Sequence, residues 1–435
     1  MRAELKTVAT LGLLTAALPV NLAVTGAVLA RRTLVGRHRT VAAQQPRTVL
    51  ISGGKMTKAL QLARLFSRAG HRVVLVEQEK YRFTGHRFST DVDRFYAVPR
   101  PQDAGYVEAL LAIVEAEGVD IYVPVCSPVA SYYDALAKGA LAKHCEVLHL
   151  DPEVVHDLDD KELFARLATS LGLAVPDSHR ITDPEQVVDF DFAASDRTYV
   201  LKSIGYDSVR RLDLTRLPLP TAEQTATFAR ALPISADNPW ILQEFIEGAE
   251  FCTHSTVRDG RVQVWCCCAS SAFQINYAMV DKPAIKAWVT AFVGALQLTG
   301  QVAFDFIEAG DGRVYAIECN PRTHSAITMF YNHPGVAQAY LGDDVEVVTP
   351  LASSRPTYWL YHEVWRALSD PRQAGQRWQV VRHGKEAIFD LADPLPFLMV
   401  HHVQIPLLLL ENLRHRKGWL KIDFNIGKLV EETGD

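Results

Sequence analysis

The sequence predicts an α/β unit with a parallel sheet and then an α+β unit, the two preceded by an N-terminal membrane segment. Three observations predict this. From Thr7 to Ala30 no residue carries a charge. Between Thr48 and Val125 short apolar runs alternate with helical periodicity, and from Tyr199 onward closely spaced alternating strands take over. The 435 residues leave room for several domains, and 48% hydrophobic with 22% charged residues is the composition of a folded globular protein. A net charge of −5 supplies no basic field for counterion release, which argues against a nucleic-acid partner. The expected boundaries are 1–45 for the membrane anchor and a basic linker, 46–150 for the α/β domain, 151–350 for the α+β domain and 351–435 for a C-terminal lobe.

The uncharged run is long enough to cross a bilayer as a helix. Arg31, Arg32, Arg37 and Arg39 follow it, which by the positive-inside rule keeps the remainder of the chain in the cytoplasm. Pro19 and Asn21 fall mid-segment and fit a kinked span or a shallow insertion as well as a straight one. A cleaved signal is the rival reading, with Val28-Leu29-Ala30 as its cleavage site; the apolar run is long for that.

The α/β domain opens with the apolar run Thr48–Ser52, the turn Gly53-Gly54-Lys55, an amphipathic stretch from Lys58 to Arg68 and a second run from Arg72 to Glu77. This is strand, glycine turn, helix, strand, the start of a βαβ unit. A helix near Tyr106–Glu117 and a strand at Ile121–Val125 repeat it. The glycine turn lacks the spacing of a phosphate loop; it either lines a ligand crevice or simply reverses the chain.

Asp151-Pro152 opens the next unit, and Asp159-Asp160-Lys161 reads as a helix start. The segments YVLKS, WILQEFI, EFCTHSTV and RVQVWCC then form an antiparallel sheet, and Gln301–Ile307 pairs with Arg313–Glu318 across Gly310-Asp311-Gly312. The seven cysteines include the run Cys266-Cys267-Cys268, whose members alternate between the faces of a strand and so chelate no single metal; they read as buried reduced thiols. A second apolar stretch, Leu395–Leu410, is broken by Pro396 and Pro406 and lies either at the membrane interface, which is slightly favoured, or in the core.

Chemistry concentrates at Asp305, Glu318 and Asn320. Glu318 and Asn320 sit two apart on one face of one strand, and the hairpin sets Asp305 beside them. Two carboxylates among Val, Phe, Ile and Ala repel each other unless a cation lies between them, and three oxygen ligands suit a hard cation such as Mg²⁺. Lys202 ends the strand Tyr199-Val-Leu and precedes a polar loop running to Ser208, a place suited to neutralising phosphate oxygens. The strand around Gln243, Glu244 and Ile246 stops at a polar edge able to face a purine, with Glu250 past the glycine turn able to accept ribose hydroxyls.

Lys161, Lys202, L-Q-E-F-I-E-G-A-E, F-D-F-I and E-C-N-P-R, in this order, resemble the ATP-grasp superfamily, as in biotin carboxylase and carbamoyl phosphate synthetase. The resemblance covers roughly Pro46 to Leu341. It implies an ATP-grasp fold preceded by a parallel-sheet, Rossmann-like domain, with ATP and Mg²⁺ (Mn²⁺ as an alternative) as cofactors. It also implies roles: Lys161 and Lys202 at phosphate or adenine, the loop to Ser208 over the phosphates, and Gln243 to Ile246, Glu244 included, as the adenine hinge. Glu250 would hold the ribose, Asp305, Glu318 and Asn320 the metal, and Arg322, with Lys202, the transferring phosphoryl group. Gln243 departs from the glutamate common at that place, which puts the adenine contacts there in doubt.

The anchor and the tail motifs H-H-V-Q-I-P-L-L-L-L-E-N-L and G-W-L-K-I-D-F-N-I-G-K-L-V-E look like the ATP-grasp mycosporine-glycine synthases. That likeness implies small-molecule substrates, the cyclohexenone 4-deoxygadusol and an amino acid, typically glycine. An ATP-grasp carboxylate–amine ligase and a membrane-tethered nucleotide binder without catalysis remain the alternatives.

Overall fold

The computed structural model describes residues 2–35, 43–125, 127, 129–194, 196–205, 210, 213–270, 276–343 and 345–431. Helix α1 (Arg2–Val35) leads into the first unit, made of β1 (Thr48–Ile51), α2 (Thr57–Arg68), β2 (Arg72–Gln78), β3 (Arg94–Val98), α3 (Tyr106–Glu117), β4 (Ile121–Val123), α4 (Ser131–Leu141) and β5 (Glu146–Val147). The five strands form one parallel sheet in the order β3-β2-β1-β4-β5, with Val49 opposite both Val73 and Ile121. Valine, leucine and isoleucine fill β1 and β2 almost without alternation, as a sheet covered on both faces requires. Strands β3 and β5 escaped the sequence reading: β3 is the polar-edged RFYAV and β5 only two residues long.

Helices α5 (Pro152–Asp159) and α6 (Lys161–Ser170) follow, broken at Asp160. Asp160 caps α6, its carboxylate accepting from the N–H groups of Glu162 (2.9 Å) and Leu163 (3.1 Å). Next come β6 (Ser178–Ile181), α7 (Glu185–Val188), β7 (Tyr199–Ser203), α8 (Ala222–Arg230) and β8 (Trp240–Glu244). The antiparallel region expected as one sheet is two. Strands β6, β8 and β7 make a three-stranded sheet with its own small core around Trp240 and Leu242. Strands β9 (Gly248–Arg258), β10 (Arg261–Ala269), β11 (Gly300–Ala309) and β12 (Val314–Asn320) make a four-stranded sheet in the order β10-β9-β11-β12, with α9 (Pro283–Ala295) on one face. Residues 245–247 separate the sheets, since the ladder of β8 ends at Glu244 and that of β9 starts at Gly248.

Period two holds along the four-stranded sheet. Cys267, Trp265, Phe304 and Phe306 enter the aromatic core under α9, while Cys266, Cys268 and Cys252 join the core shared with the first unit. The cysteine run is buried on alternate faces, as its strand position demands.

The remaining elements are α10 (Val336–Leu341), β13 (Thr357–Tyr358), α11 (Leu360–Ser369), α12 (Ala374–His383), β14 (Lys385–Glu386), α13 (Leu395–Met399), a π turn at Val400–Gln404, α14 (Ile405–Arg414), β15 (Lys421–Asp423) and β16 (Lys428–Val430). The segment expected as a C-terminal lobe shares the core of the first unit instead of enclosing its own: Trp359, Ile388, Val400 and Phe424 pack in one cluster with Val49, Leu60 and Phe66. It covers the polar face of α2. Arg64 donates to Asp393 Oδ2 (3.0 Å) and to the carbonyls of Ile388 (2.9 Å) and Asp393 (3.0 Å), and Trp359 Nε1 donates to Thr57 Oγ1 (3.1 Å). The stretch 395–410, favoured for the interface, is divided: Phe397, Val400, Ile405 and Leu409 are buried, while Leu407 and Leu410 are exposed.

Candidate functional site

The site lies where the two antiparallel sheets meet. On β11 and β12 the register sets Asp305 directly opposite Glu318 and Ala303 opposite Asn320. A bulge follows, Phe306 pairing with Ala316, so that Ile317 is an extra residue. Its carbonyl accepts from Gln243 Nε2 (3.2 Å), and Gln243 Oε1 accepts from Lys202 Nζ (3.0 Å). One buried amide therefore ties β8, β7 and β12 together and aims Lys202 at the carboxylates.

Asn320 Nδ2 donates to Asp305 Oδ2 (3.2 Å) and to Glu318 Oε1 (3.3 Å), so the three side chains expected as ligands do converge. Lys161 Nζ stands 3.5 Å from Glu318 Oε2, placed there by the capped start of α6. Arg322 donates to Asn320 Oδ1 and pairs with Asp159 at 3.4 Å. Burial opposes ionisation of both carboxylates, but they part company. Burial and the Glu318 charge push Asp305 well above the usual carboxylate range. For Glu318 the burial is outweighed by Lys161, by hydrogen bonding with Asp305 and by Lys202, which hold it at about 2. Lys202 is lowered below its ordinary value by burial, against the pull of Glu318.

These contacts test the fit of a divalent cation. Two carboxylates held face to face repel each other, and an amide N–H and a lysine ammonium crowd in beside them. That donor set suits a hard cation. Asn320 fits after its amide turns over, because here it presents N–H to the carboxylates and its oxygen to Arg322. Among the described residues no group of three or more His, Cys, Asp and Glu could hold a metal, so a cation here would complete its shell with phosphate oxygens and water.

The residues expected at adenine and ribose are spread along the same junction. Glu244 does not present its carboxylate to the junction: Oε2 accepts from the N–H of Asp177 (3.1 Å) and Oε1 faces Arg197 (3.4 Å), leaving the backbone to any base. Ile246 lies in the segment between the sheets. Glu250 faces the site from β9, with Ser270 Oγ donating to it at 2.9 Å. Ser208 lies outside the described residues, as does most of the loop expected over the phosphates.

Sequence reasoning missed three neighbours. Cys252 pairs with Asp305 across β9 and β11, two residues beyond Glu250 and therefore on the same face, a placement strand parity alone could have supplied. A hydrogen bond from Cys268 and the nearby His324 hold its thiol well below the ordinary value, against burial. His324 caps the 3₁₀ turn after Arg322, and Tyr277 meets its ring edge to face at 5.4 Å.

No protein-family model matches the chain. In sequence it is similar to the C-terminal section of the carbamoyl phosphate synthase large chain of Methanopyrus kandleri, 22% identical over 218 residues. The match takes in 45% of this chain and 38% of that relative, so the chain spans well under half of the curated protein it matches. In structure it is similar to an ADP complex of N5-carboxyaminoimidazole ribonucleotide synthetase (TM-score 0.54, 14% identity, 76% of this chain and 86% of the other). It is likewise similar to the Staphylococcus aureus N5-carboxyaminoimidazole synthetase complexed with ADP (0.53, 13%, 73% and 82%) and to the biotin carboxylase domain of a single-chain bacterial carboxylase (0.53, 19%, 72% and 72%). The chain has the ATP-grasp fold.

Proposed function

We propose that this protein is an ATP-dependent C–N ligase that phosphorylates an oxygen of its acceptor and lets an amine displace the phosphate. The observation that carries the reading is the Asp305–Glu318 pair, bracketed by Asn320, Lys161 and Lys202 at the junction of the two sheets. Lys202 and Lys161 would neutralise phosphate oxygens, the backbone of Gln243 to Ile246 would face adenine, and Glu250 would take the ribose hydroxyls. Asp305, Glu318 and Asn320 would hold Mg²⁺ or Mn²⁺, which neutralises charge on the phosphates and polarises the group in flight. Arg322, poised on Asn320, would steady the transferring phosphoryl group.

For the substrates we take 4-deoxygadusol and an amino acid, typically glycine, on the strength of the tail motifs. An enolised 1,3-diketone is a vinylogous carboxylate. Its enol oxygen attacks the terminal phosphoryl group, ADP leaves and the enolic proton is lost. The amine adds to the activated carbon, phosphate departs with the former enol oxygen, and loss of the ammonium proton gives the enaminone. The chain's part is positioning and cationic stabilisation. The second reading is ligation of a carboxylate through an acyl phosphate, favoured by the carbamoyl phosphate synthase relative and the synthetase neighbours. We place the ATP-using body in the cytoplasm, where the nucleotide is, attached to the membrane through residues 7–30.

ADP release with 4-deoxygadusol and glycine, followed alongside ultraviolet absorbance, tests this. An adduct with matched ADP supports the substrate pair. ADP release only when a carboxylic acid and an amine are supplied replaces that pair with the acyl-phosphate reading. ATP binding with no ADP under any acceptor overturns both.

A further inference from the structure

Helix α1 is turned inside out by the standards of a soluble protein. Its inward positions are Thr7, Leu14 and Thr25, which are buried, and Asn21, which is half-buried, spaced seven, seven and four residues apart in chain order, and that seam carries the polar groups. Thr7 Oγ1 accepts from Trp419 Nε1 (2.9 Å), and Asn21 Nδ2 donates to Tyr361 Oη (2.6 Å) and contacts His402 Nε2 (2.6 Å). Lys6 donates to the carbonyls of Trp419 (3.0 Å) and Leu420 (2.8 Å). The outward face is apolar: Leu5, Val8, Leu13, Val20, Leu22 and Val24 are exposed, Leu13 by 60%. Hydroxyls on that side are satisfied within the helix, Thr10 donating to Lys6 O and Thr15 to Leu11 O, both at 2.8 Å.

From Lys6 to Asn21 the helix runs about 22 Å at 1.5 Å per residue, all of it against the body. A helix that crossed the bilayer would carry that side of the body with it. Helix α14, which packs on α1, bears Glu411 and Arg414 on its exposed surface, with His415 and Lys417 just beyond. Those charges would enter hydrocarbon. Beside the seam, α11 begins at the residue before Tyr361, and the α11–α12 hairpin exposes Trp365 (62%), Leu368 (67%) and Trp378 (64%) together with Arg372 and Arg382. Tryptophan beside arginine is the composition of a membrane–water interface.

We infer that α1 lies in the plane of one leaflet instead of crossing it, and that its outward face and the α11–α12 hairpin together form a docking surface for an anionic lipid bilayer. Exposed Arg31 at the helix end and Arg372 and Arg382 on the hairpin meet the headgroups; the leucines, valines and tryptophans enter the acyl boundary. This rests on membrane attachment through α1 and is independent of the reaction.

The test uses the full chain with a single added cysteine at a polar position off the lipid-facing side, Glu4→Cys or Thr33→Cys, in sealed membrane vesicles bearing the body on the outside. An impermeant thiol reagent should modify both variants from outside, above the background of the parent chain. Protection of one end until detergent is added would overturn the in-plane arrangement while leaving attachment intact. In flotation with phosphatidylserine-containing vesicles, Leu13→Glu with Val20→Glu should lower recovery about tenfold or more, and Trp365→Ala with Trp378→Ala should lower it severalfold, with unchanged melting. Equal recovery of these variants, or a soluble dimer of the parent chain that ignores vesicles, would overturn the surface itself.

Discussion

At the scale of single residues the account stands on charge. Glu318 is held ionised by Lys161, by hydrogen bonding with Asp305 and by Lys202 against its burial, and it faces Asp305, which burial and the Glu318 charge push well above the usual carboxylate range. Glu318→Gln removes that charge while keeping the shape. Turnover should fall about 100-fold or more, measured as ADP release at saturating ATP, with melting little changed; retained activity would mean the metal is held elsewhere. Glu250→Ala should raise the KM for ATP and leave kcat closer to normal, because ribose contacts are the same in ground and transition states. A large fall in kcat with an unchanged KM would remove Glu250 from the nucleotide. The acid–acid–amide trio was legible because period two and a short hairpin fix which side chains face each other. The direction of the Asn320 amide was not, since it is set by how its neighbours Glu318 and Arg322 divide its oxygen and its N–H; nor was the engagement of Glu244 by Arg197, a partner distant in the chain.

At the scale of elements, short local devices aim the functional groups. The cap at Asp160 starts α6 so that Lys161 sits on its first turn, and the bulge at Ile317 turns a carbonyl toward Gln243. Asp160→Ala should cost about 1 kcal/mol of stability, read from chemical denaturation, as the loss of an N-cap does. The Gly53 turn is a packing requirement: it has φ +71°, and a Cβ there would meet the Val125 carbonyl at 2.0 Å. Strands with strong alternation and helices with clear starts were readable in the sequence. The division of the antiparallel strands into two sheets was not, because alternation records which face is buried and says nothing of which strand lies alongside.

At the scale of the whole molecule, the C-terminal segment closes over the first unit, and the buried polar face of α2 records that closure. Asp393 is fully buried against Arg64, so Asp393→Ala should destabilise the fold by about 3–5 kcal/mol by leaving the guanidinium without its partner. Two histidines in the same seam are held neutral by burial, His86 lowered to about 4 and His401 to about 3. Between those values and the ordinary histidine range the unfolded chain binds more protons than the folded one. Stability should therefore fall as pH drops from about 6.5 toward 4, visible as a declining melting temperature. A polar helix face covered by residues more than 300 positions away is invisible to any local pattern, and this is why the tail read as a lobe of its own.

The most direct measurement follows the oxygen. With ¹⁸O placed on the enol oxygen of 4-deoxygadusol, ATP and glycine should yield inorganic phosphate carrying one ¹⁸O for each C–N bond formed, as mass spectrometry of the phosphate would show. Product formation with unlabelled phosphate would contradict activation of that oxygen by ATP, the central step of the proposed reaction.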